Sequence, residues 1–155
     1  MPKILVIEDD ENIRESLVEL LEMKSYVLLS ADNGIQGLEK AKSEKPDLIL
    51  CDVMMPGLNG YEVIEAVRRT AELSRVPFVF LSAKAMENDV ERGIKLGANI
   101  YLTKPFRAQE LFSVVDQLLN SGRGGGKGTN PLVTSVDAAV QNLLRLFVPE
   151  SWRLI

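Results

Sequence analysis

Five short, largely apolar segments recur along the first 120 residues, and each has the length and composition of a buried β-strand. They span residues 4–7, 27–31, 48–51, 76–81 and 100–103. Because the first and third runs are apolar throughout and do not alternate with polar residues, we expect both faces of these two strands to be covered. The pattern therefore predicts five strands in the interior of a layered domain.

After each strand, apolar residues recur every three or four positions, which is typical of amphipathic helices. The five stripes comprise Ile13, Leu17, Leu20 and Leu21; Ile35 and Leu38; Val63, Ile64 and Val67; Val90 and Ile94; and Leu111, Val114, Val115 and Leu118. Asn33 is expected to cap the second helix, with Ile35 and Leu38 facing inward. Five repeats of strand followed by helix predict an α/β fold, with a five-stranded parallel sheet and helices on both faces.

The composition limits the chemistry that the chain can perform. No histidine is present, which excludes serine–histidine–aspartate hydrolysis, and with a single cysteine, Cys51, the chain is a poor candidate for a zinc site. Residues 1–120 hold 14 Lys and Arg against 20 Asp and Glu, and the net charge of −6 argues against direct contact with nucleic acid. We expect no membrane span, no signal peptide and a cytoplasmic location.

The last 35 residues differ in composition from the rest of the chain. Residues 121–131 are rich in glycine and are typical of a flexible linker. Residues 132–155 are predicted to form an amphipathic helical tail, with an apolar stripe of Val133, Val136, Val140, Leu143, Leu144 and Phe147. Because a lone helix of ~15 residues is marginal in water, we expect this tail to dock on the first 120 residues, to pair with a second chain, or to begin a truncated output domain.

Polar residues suited to metal or phosphoryl chemistry follow four of the five predicted strands. They are Glu8, Asp9 and Asp10 after the first strand, Asp52 after the third, Ser82 (followed by Ala83) after the fourth, and Lys104 (followed by Pro105) after the fifth. The carboxyl ends of parallel strands meet at one edge of a sheet, so we expect these groups to converge. Clustered carboxylates need a cation, and a site made of oxygens suits Mg²⁺. A lysine and a hydroxyl could hold phosphoryl oxygens, and a carboxylate can be the nucleophile that forms an aspartyl-phosphate.

In their order along the chain, these residues resemble the receiver domain of response regulators, the CheY-like family of two-component signalling. The resemblance covers roughly residues 1–120 and rests on five motifs. They are Glu8-Asp9; Asp52-Val53-Met54-Met55-Pro56-Gly57, continued by Gly60-Tyr61-Glu62; Ser82-Ala83; Tyr101; and Lys104-Pro105-Phe106. The resemblance implies the three-layer, flavodoxin-like fold of CheY.

The resemblance also implies how the chain would bind a phosphoryl group. Asp52 would be the phosphoacceptor. Lys104, the Ser82 hydroxyl and the backbone N–H of Ala83 would hold the phosphoryl oxygens. Ser82 and Tyr101 would form the switch, with the tyrosine ring swinging inward as the serine moves.

A Mg²⁺ site is implied by the same resemblance. Asp9 and Asp52 would bind the ion directly, Glu8 mainly through water, and Met54 through its backbone carbonyl. Asp10 is interpreted as a carboxylate at the start of a helix, where it is favoured by the helix dipole.

The partners implied by the resemblance are a histidine kinase or histidine phosphotransfer protein as donor and a downstream effector protein. The effector would read a surface formed by the fourth helix, the fifth strand and the fifth helix. Such a chain is not a conventional enzyme, since it catalyses only its own phosphoryl transfer and slow autodephosphorylation.

Three other functions are compatible with parts of this pattern. A pseudo-receiver would use the same fold without phosphorylation. A haloacid-dehalogenase-type phosphatase would need a second acid where Met54 stands. A flavodoxin-like or dinucleotide-binding protein is disfavoured because no G-x-G-x-x-G follows the first strand.

Overall fold

The computed structural model describes residues 1–123 and 153–154. Five strands alternate with helices: β1 (Lys3–Ile7), β2 (Val27–Ala31), β3 (Leu48–Cys51), β4 (Phe78–Ser82) and β5 (Ile100–Thr103). They form one parallel sheet in the order β2-β1-β3-β4-β5. The predicted five-stranded parallel sheet is confirmed. The strand order reverses between β1 and β3, which is where doubly wound sheets bind ligands.

Five helices follow the five strands. They are α1 (Glu11–Glu22), α2 (Gly34–Glu44), α3 (Gly60–Arg69), α4 (Glu87–Lys95) and α5 (Ala108–Arg123), with a short 3₁₀ helix, Ala71–Leu73, after α3. β4 begins two residues later than predicted, after Pro77, which has no N–H to donate to a neighbouring strand. α5 runs through Arg123 and so overlaps the first three residues of the predicted linker, 121–131.

Two apolar cores lie on opposite faces of the sheet, because successive strand residues point to opposite sides. On one face, Leu5 and Ile7 of β1 join a cluster with α2, α3 and α4. On the other, Ile4 and Val6 join a cluster with α1 and α5. All four of these β1 side chains are almost completely buried, as the continuous apolar pattern predicted. The sheet is therefore held from both sides.

The inward face of α2 differs from the prediction. The Asn33 cap is confirmed, since its side chain accepts a hydrogen bond from the N–H of Gln36 at 2.8 Å. Ile35, however, is 60% exposed and not inward-facing. The helix instead presents Gly34 and Gly37 to the interior, and a Cβ on Gly37 would lie 2.5 Å from Ile7. Only glycine lets α2 approach the sheet this closely. The face of α2 that carries Gly34 and Gly37 is therefore the buried one.

A second, two-stranded sheet lies outside the main one. Strand β6 (Phe106–Arg107) pairs antiparallel with strand β7 (Arg153–Leu154). The helix predicted within residues 132–155 lies outside the described residues, except at these two positions. Among the residues that the structure describes, no helix has the length and apolar character needed to cross a membrane.

Candidate functional site

The sheet register brings the predicted strand ends to one edge. Ile7 at the end of β1 stands opposite Cys51 at the end of β3, so Glu8 and Asp52 leave the sheet side by side. The N–H of Asp52 donates to the carbonyl of Ile7 at 3.0 Å. On the other side of β3, the N–H of Lys104 donates to the carbonyl of Ser82 at 2.8 Å. The expected convergence therefore occurs.

An ionic cluster occupies the centre of this edge. The Lys104 ammonium donates to Glu8 Oε1 at 2.6 Å and to Asp52 Oδ2 at 3.2 Å. The three side chains are between 2% and 10% exposed, so their charges are poorly screened by water. One cation thus serves two buried carboxylates that come from strands distant in sequence.

Burial and charge shift the protonation of this cluster. Burial raises the pKa of Glu8 from 4.5 to about 7, and the negative charge of Asp52 adds to the rise, although hydrogen bonding to Lys104 opposes it. Burial would by itself lower the pKa of Lys104. The hydrogen bond to Glu8 and the charge of Asp52 more than offset that effect, so the net shift is upward. Lys104 therefore stays charged, and Glu8 is the group that takes up a proton.

Three carboxylates are arranged to hold a cation. Glu8, Asp9 and Asp52 each offer a carboxylate oxygen within 4.8 Å of the others. Asp9 is exposed, while the other two are buried. The single Lys104 ammonium leaves this cluster with an excess of negative charge. Hard oxygen donors next to open solvent suit Mg²⁺, which keeps several of its waters.

Asp10, the third acidic residue of the run, is used differently. Its Oδ1 accepts the N–H of Ile13 at 3.1 Å, and it is the N-cap of α1. Its own N–H donates to Glu8 Oε2 at 3.2 Å. The interpretation of Asp10 as a helix-start carboxylate is confirmed.

The loop after Asp52 is shaped by a close approach of α3. The N–H of Met54 donates to Asp52 Oδ1 at 3.2 Å, and the Met54 side chain is 58% exposed. A Cβ on Gly60, the first residue of α3, would lie 2.2 Å from the carbonyl oxygen of Asp52. Only glycine permits α3 to begin so close to the end of β3. The glycine thus sets the path of the loop around the carboxylate.

The predicted switch residues meet at the backbone of Lys84. The Lys84 N–H donates to the hydroxyl of Ser82 at 3.1 Å, and the Tyr101 hydroxyl donates to the Lys84 carbonyl at 2.7 Å. Tyr101 is only 1% exposed, and burial raises its pKa. The ring therefore lies inside in this structure, and its movement with Ser82 on phosphorylation stays a prediction. Ala83, between Ser82 and Lys84, is exposed.

Lys84 is the residue of this site that sequence reasoning missed. It contributes through its backbone, which any residue could supply, so its side-chain type carried no signal. Its ammonium lies 3.4 Å from Asp89 of α4 and so also ties the loop to that helix. Lys84, Met54 and Arg92 contribute to the lining of an open pocket of about 480 Å³ beside the acceptor loop.

Two known proteins have sequences similar to that of this chain. The chain is 35% identical over 119 residues to Protein PilH of Pseudomonas aeruginosa, a match that covers 77% of this chain and 98% of PilH. It is 42% identical over 117 residues to the alkaline phosphatase synthesis transcriptional regulatory protein PhoP of Bacillus subtilis, covering 76% of this chain and 48% of PhoP. The chain therefore spans nearly all of one relative and about half of the other.

Solved structures agree with the sequence relatives. Chemotaxis protein CheY4 of Vibrio cholerae superposes with a TM-score of 0.73 at 29% identity, covering 76% of this chain and 98% of CheY4. The receiver domain of the sensor histidine kinase PA1611 of Pseudomonas aeruginosa, described with a magnesium ion in its active-site cleft, gives 0.72 at 30% identity, covering 77% and 98%. The family model of the response regulator receiver domain matches residues 4–116. This range includes all five strands of the main sheet apart from Lys3, the first residue of β1. With the fold, the relatives and the family model in agreement, this chain belongs to the response regulator receiver domain family.

Proposed function

We propose that this receiver domain accepts a phosphoryl group on Asp52 in a Mg²⁺-dependent reaction. The observation that carries the proposal is the contact of Asp52 Oδ2 with the Lys104 ammonium at 3.2 Å, beside the carboxylates of Glu8 and Asp9. This combination supplies a nucleophile, a charge partner for the incoming phosphoryl group and oxygen ligands for a cation.

In the proposed reaction, a carboxylate oxygen of Asp52 attacks the phosphorus of a phosphohistidine. The phosphorus–nitrogen bond breaks, and its electron pair stays with the departing imidazole. Asp9 and Asp52 would hold Mg²⁺ directly, with Glu8 acting through water and Met54 through its backbone carbonyl. Mg²⁺ held by these residues would supply positive charge next to the phosphoryl oxygens.

Lys104 would change partners as the phosphoryl group arrives. It now donates to both Glu8 and Asp52, so it is already within reach of a group attached to Asp52. A phosphoryl group brings strong acceptor oxygens and negative charge, which attract the ammonium. The Ser82 hydroxyl and the Ala83 N–H would donate to the remaining oxygens.

The switch would then act through Lys84. Rotation of the Ser82 hydroxyl toward the phosphoryl group would end its acceptance of the Lys84 N–H, which measures 3.1 Å here. Because Tyr101 is anchored to the carbonyl of the same residue, the two side chains respond to one shift of the loop. The result would be a repacked surface of α4, β5 and α5. Phosphorylation shifts that equilibrium only by its preference for one state.

The proposed donor is a histidine kinase or histidine phosphotransfer protein, and the proposed reader is a downstream effector protein. The similarity to the receiver domain of a sensor histidine kinase supports the donor, and the similarity to a transcriptional regulatory protein supports a downstream reader. The absence of histidine from the sequence means that this chain cannot itself supply a phosphohistidine. It would therefore act as an acceptor that loses its phosphoryl group slowly and turns over no other substrate.

The proposal is tested by intact-protein mass spectrometry after incubation with acetyl phosphate and Mg²⁺. We expect the wild type to gain ~80 Da, the mass of one phosphoryl group in an aspartyl-phosphate. Asp52→Asn, which preserves shape but removes the nucleophilic charge, should gain nothing. A chelator should abolish the gain in the wild type.

The matched control is Asp47→Asn, since Asp47 is an exposed aspartate just before β3. It should be labelled like the wild type. Equal labelling of Asp52→Asn and the wild type, or no labelling of either while Mg²⁺ is bound, would refute the proposal. The second result would favour a pseudo-receiver.

A further inference from the structure

We propose that the open pocket between the acceptor loop and α4 binds a segment of a partner protein in which a carboxylate stands beside an apolar side chain. The pocket has a volume of about 480 Å³, and neither Asp52 nor Lys104 contributes to its lining. Of its lining residues, only Arg92 belongs to the surface of α4, β5 and α5 that the proposed effector would read. The inference therefore does not depend on phosphorylation of Asp52.

The wall formed by the acceptor loop is apolar. Val53 and Met55 are buried, whereas Pro56 is exposed and the Met54 side chain is 58% exposed. A methionine side chain is flexible and polarisable, so it can adapt to the shape of an apolar partner. Covering this wall with another apolar side chain would remove apolar surface from water, which favours binding.

The opposite rim holds a cation that is positioned in advance. The guanidinium carbon of Arg92 lies over the Tyr61 ring, 4.3 Å from its centre. The ring is itself fixed, since Tyr61 is 2% exposed and its hydroxyl donates to the carbonyl of Asp89 at 3.1 Å. A guanidinium held over an aromatic face keeps the N–H groups at its edge available to a carboxylate. Less side-chain entropy is therefore lost when a ligand binds.

The ion pairs among the described residues leave Arg92 without an acidic partner. Lys84, the other cation of the lining, lies 3.4 Å from Asp89, which largely neutralises it. Glu62, in the first turn of α3, accepts the N–H of Asn59 at 3.0 Å as part of the capping box. The charge that the pocket lacks is therefore that of one carboxylate, opposite Arg92.

The two sides of the pocket together define the occupant. An inorganic anion would pair with Arg92 but would leave the apolar wall at Met54 in water. A carboxylate can accept two parallel hydrogen bonds from a guanidinium, and an apolar neighbour can cover the wall. Because the pocket is open, it would leave much of a small molecule in water, whereas a protein segment gains further contacts around the rim. An acidic residue next to an apolar one in a partner protein fits these conditions.

The test is an NMR titration of the isotope-labelled full chain, without Mg²⁺, using the peptide acetyl-Leu-Glu-Leu-amide. We expect saturable shifts of the amides of Asn59, Tyr61, Lys84 and Arg92, with a Kd of about 1 mM for so small a ligand. Acetyl-Leu-Gln-Leu-amide should bind roughly ten-fold more weakly, the size of one lost charged hydrogen bond. Acetyl-Gly-Glu-Gly-amide should also bind more weakly, because it leaves the apolar wall uncovered.

Variants at Arg92 separate recognition of the carboxylate from a structural role. Arg92→Gln should remove the preference for the glutamate peptide over the glutamine peptide. Lys95→Gln is the matched control, because Lys95 is an exposed cation of the same helix and does not line the pocket. It should keep the wild-type preference. Arg92→Glu should instead prefer acetyl-Leu-Lys-Leu-amide, a reversal that a merely structural residue would not produce.

Four results would overturn the inference. The first is the absence of saturable shifts at the lining residues of the wild type. The second is equal binding of the glutamate and glutamine peptides. The third is binding of acetate or inorganic phosphate as strong as that of the peptide, which would mean an adventitious ion only. The fourth is an unchanged peptide preference in Arg92→Gln, which would place the carboxylate elsewhere.

Discussion

Three consecutive acidic residues after β1 are placed in three different environments. Glu8 is buried against Lys104, Asp9 is exposed beside the carboxylate cluster, and Asp10 caps α1. Chain direction explains the difference, because successive residues leaving a strand point to opposite sides and the helix begins at Glu11. Their chemical similarity therefore does not imply similar roles.

Alanine substitutions should separate Asp9 from Asp10. Asp9→Ala is expected to abolish measurable Mg²⁺ binding with little change in stability, because this exposed side chain serves the proposed cation. Asp10→Ala should retain Mg²⁺ binding but lose about 1 kcal/mol of stability through loss of the N-cap. Calorimetric titration measures Mg²⁺ binding by the two variants, and urea unfolding measures their stability. Loss of Mg²⁺ binding in Asp10→Ala alone would contradict the assignment.

The buried Glu8 predicts a pH dependence of stability in metal-free protein. Its pKa is about 7 in the folded state and near 4.5 when unfolded, so the folded state binds a proton more tightly. The stability that this proton contributes is therefore complete below pH 4.5, falls as the pH rises from 4.5 through 7, and is absent above that range. Between pH 6 and 8 we expect a loss of about 1 kcal/mol from this group. Urea unfolding with a chelator measures it.

Glu8→Gln is the variant that tests this dependence. It cannot titrate, so the part of the pH slope due to Glu8 should disappear. Glu15→Gln, at an exposed position of α1, should keep the wild-type slope. An identical slope in wild type and Glu8→Gln would show that another group is responsible.

At the scale of elements, the start of α3 is placed by its contact with the end of β3. The N–H of Gly60 donates to the carbonyl of Val53 at 3.0 Å, and Asn59 and Glu62 form a capping box. These contacts fold the acceptor loop back over Asp52. The loop geometry is thus a consequence of how closely a helix can begin beside a strand.

Gly60→Ala should destabilise the protein by about 1–3 kcal/mol, because its Cβ would meet the Asp52 carbonyl oxygen at 2.2 Å. Helix propensity alone would predict the opposite, a gain in stability, since alanine is intrinsically a better helix former than glycine. Urea unfolding measures the change, and acetyl phosphate labelling should also slow as the loop moves. A stabilised variant would contradict the close approach.

At the scale of the whole molecule, the residues that the structure describes in both cores all precede the end of α5. The two clusters together draw on all five strands of the main sheet and on all five helices. The β6–β7 pair adds Arg153 and Leu154, the two residues that the structure describes beyond α5. The receiver domain should therefore hold together without that segment.

A chain that ends at Arg123 is expected to remain folded. Its stability to urea should lie within about 0.5 kcal/mol of the full chain, the range of changes away from the core. Acetyl phosphate labelling at Asp52 should also be unchanged. A loss of several kcal/mol, or an insoluble product, would mean that residues 124–155 complete the domain.

Much of this architecture could be predicted from local patterns. Continuous apolar runs identified all five main strands, and polar residues at their ends identified the site edge. The prediction that Ile35 faces inward was wrong, because periodicity does not reveal that Gly34 and Gly37 let α2 approach the sheet. The part played by Lys84 was also missed, since backbone hydrogen bonds leave no mark on residue type.

The sequence by itself determined the strands, the helices, the family motifs and the identity of the candidate nucleophile, because each depends on neighbouring residues or on motif order. The tertiary structure decided which groups touch. Lys104 and Glu8 are 96 positions apart, and their 2.6 Å contact exists only because β5 and β1 end at the same edge of one sheet. The raised pKa of Glu8 and the Arg107–Arg153 register have the same origin. Contacts between distant residues are properties of the packed chain, and no local pattern encodes them.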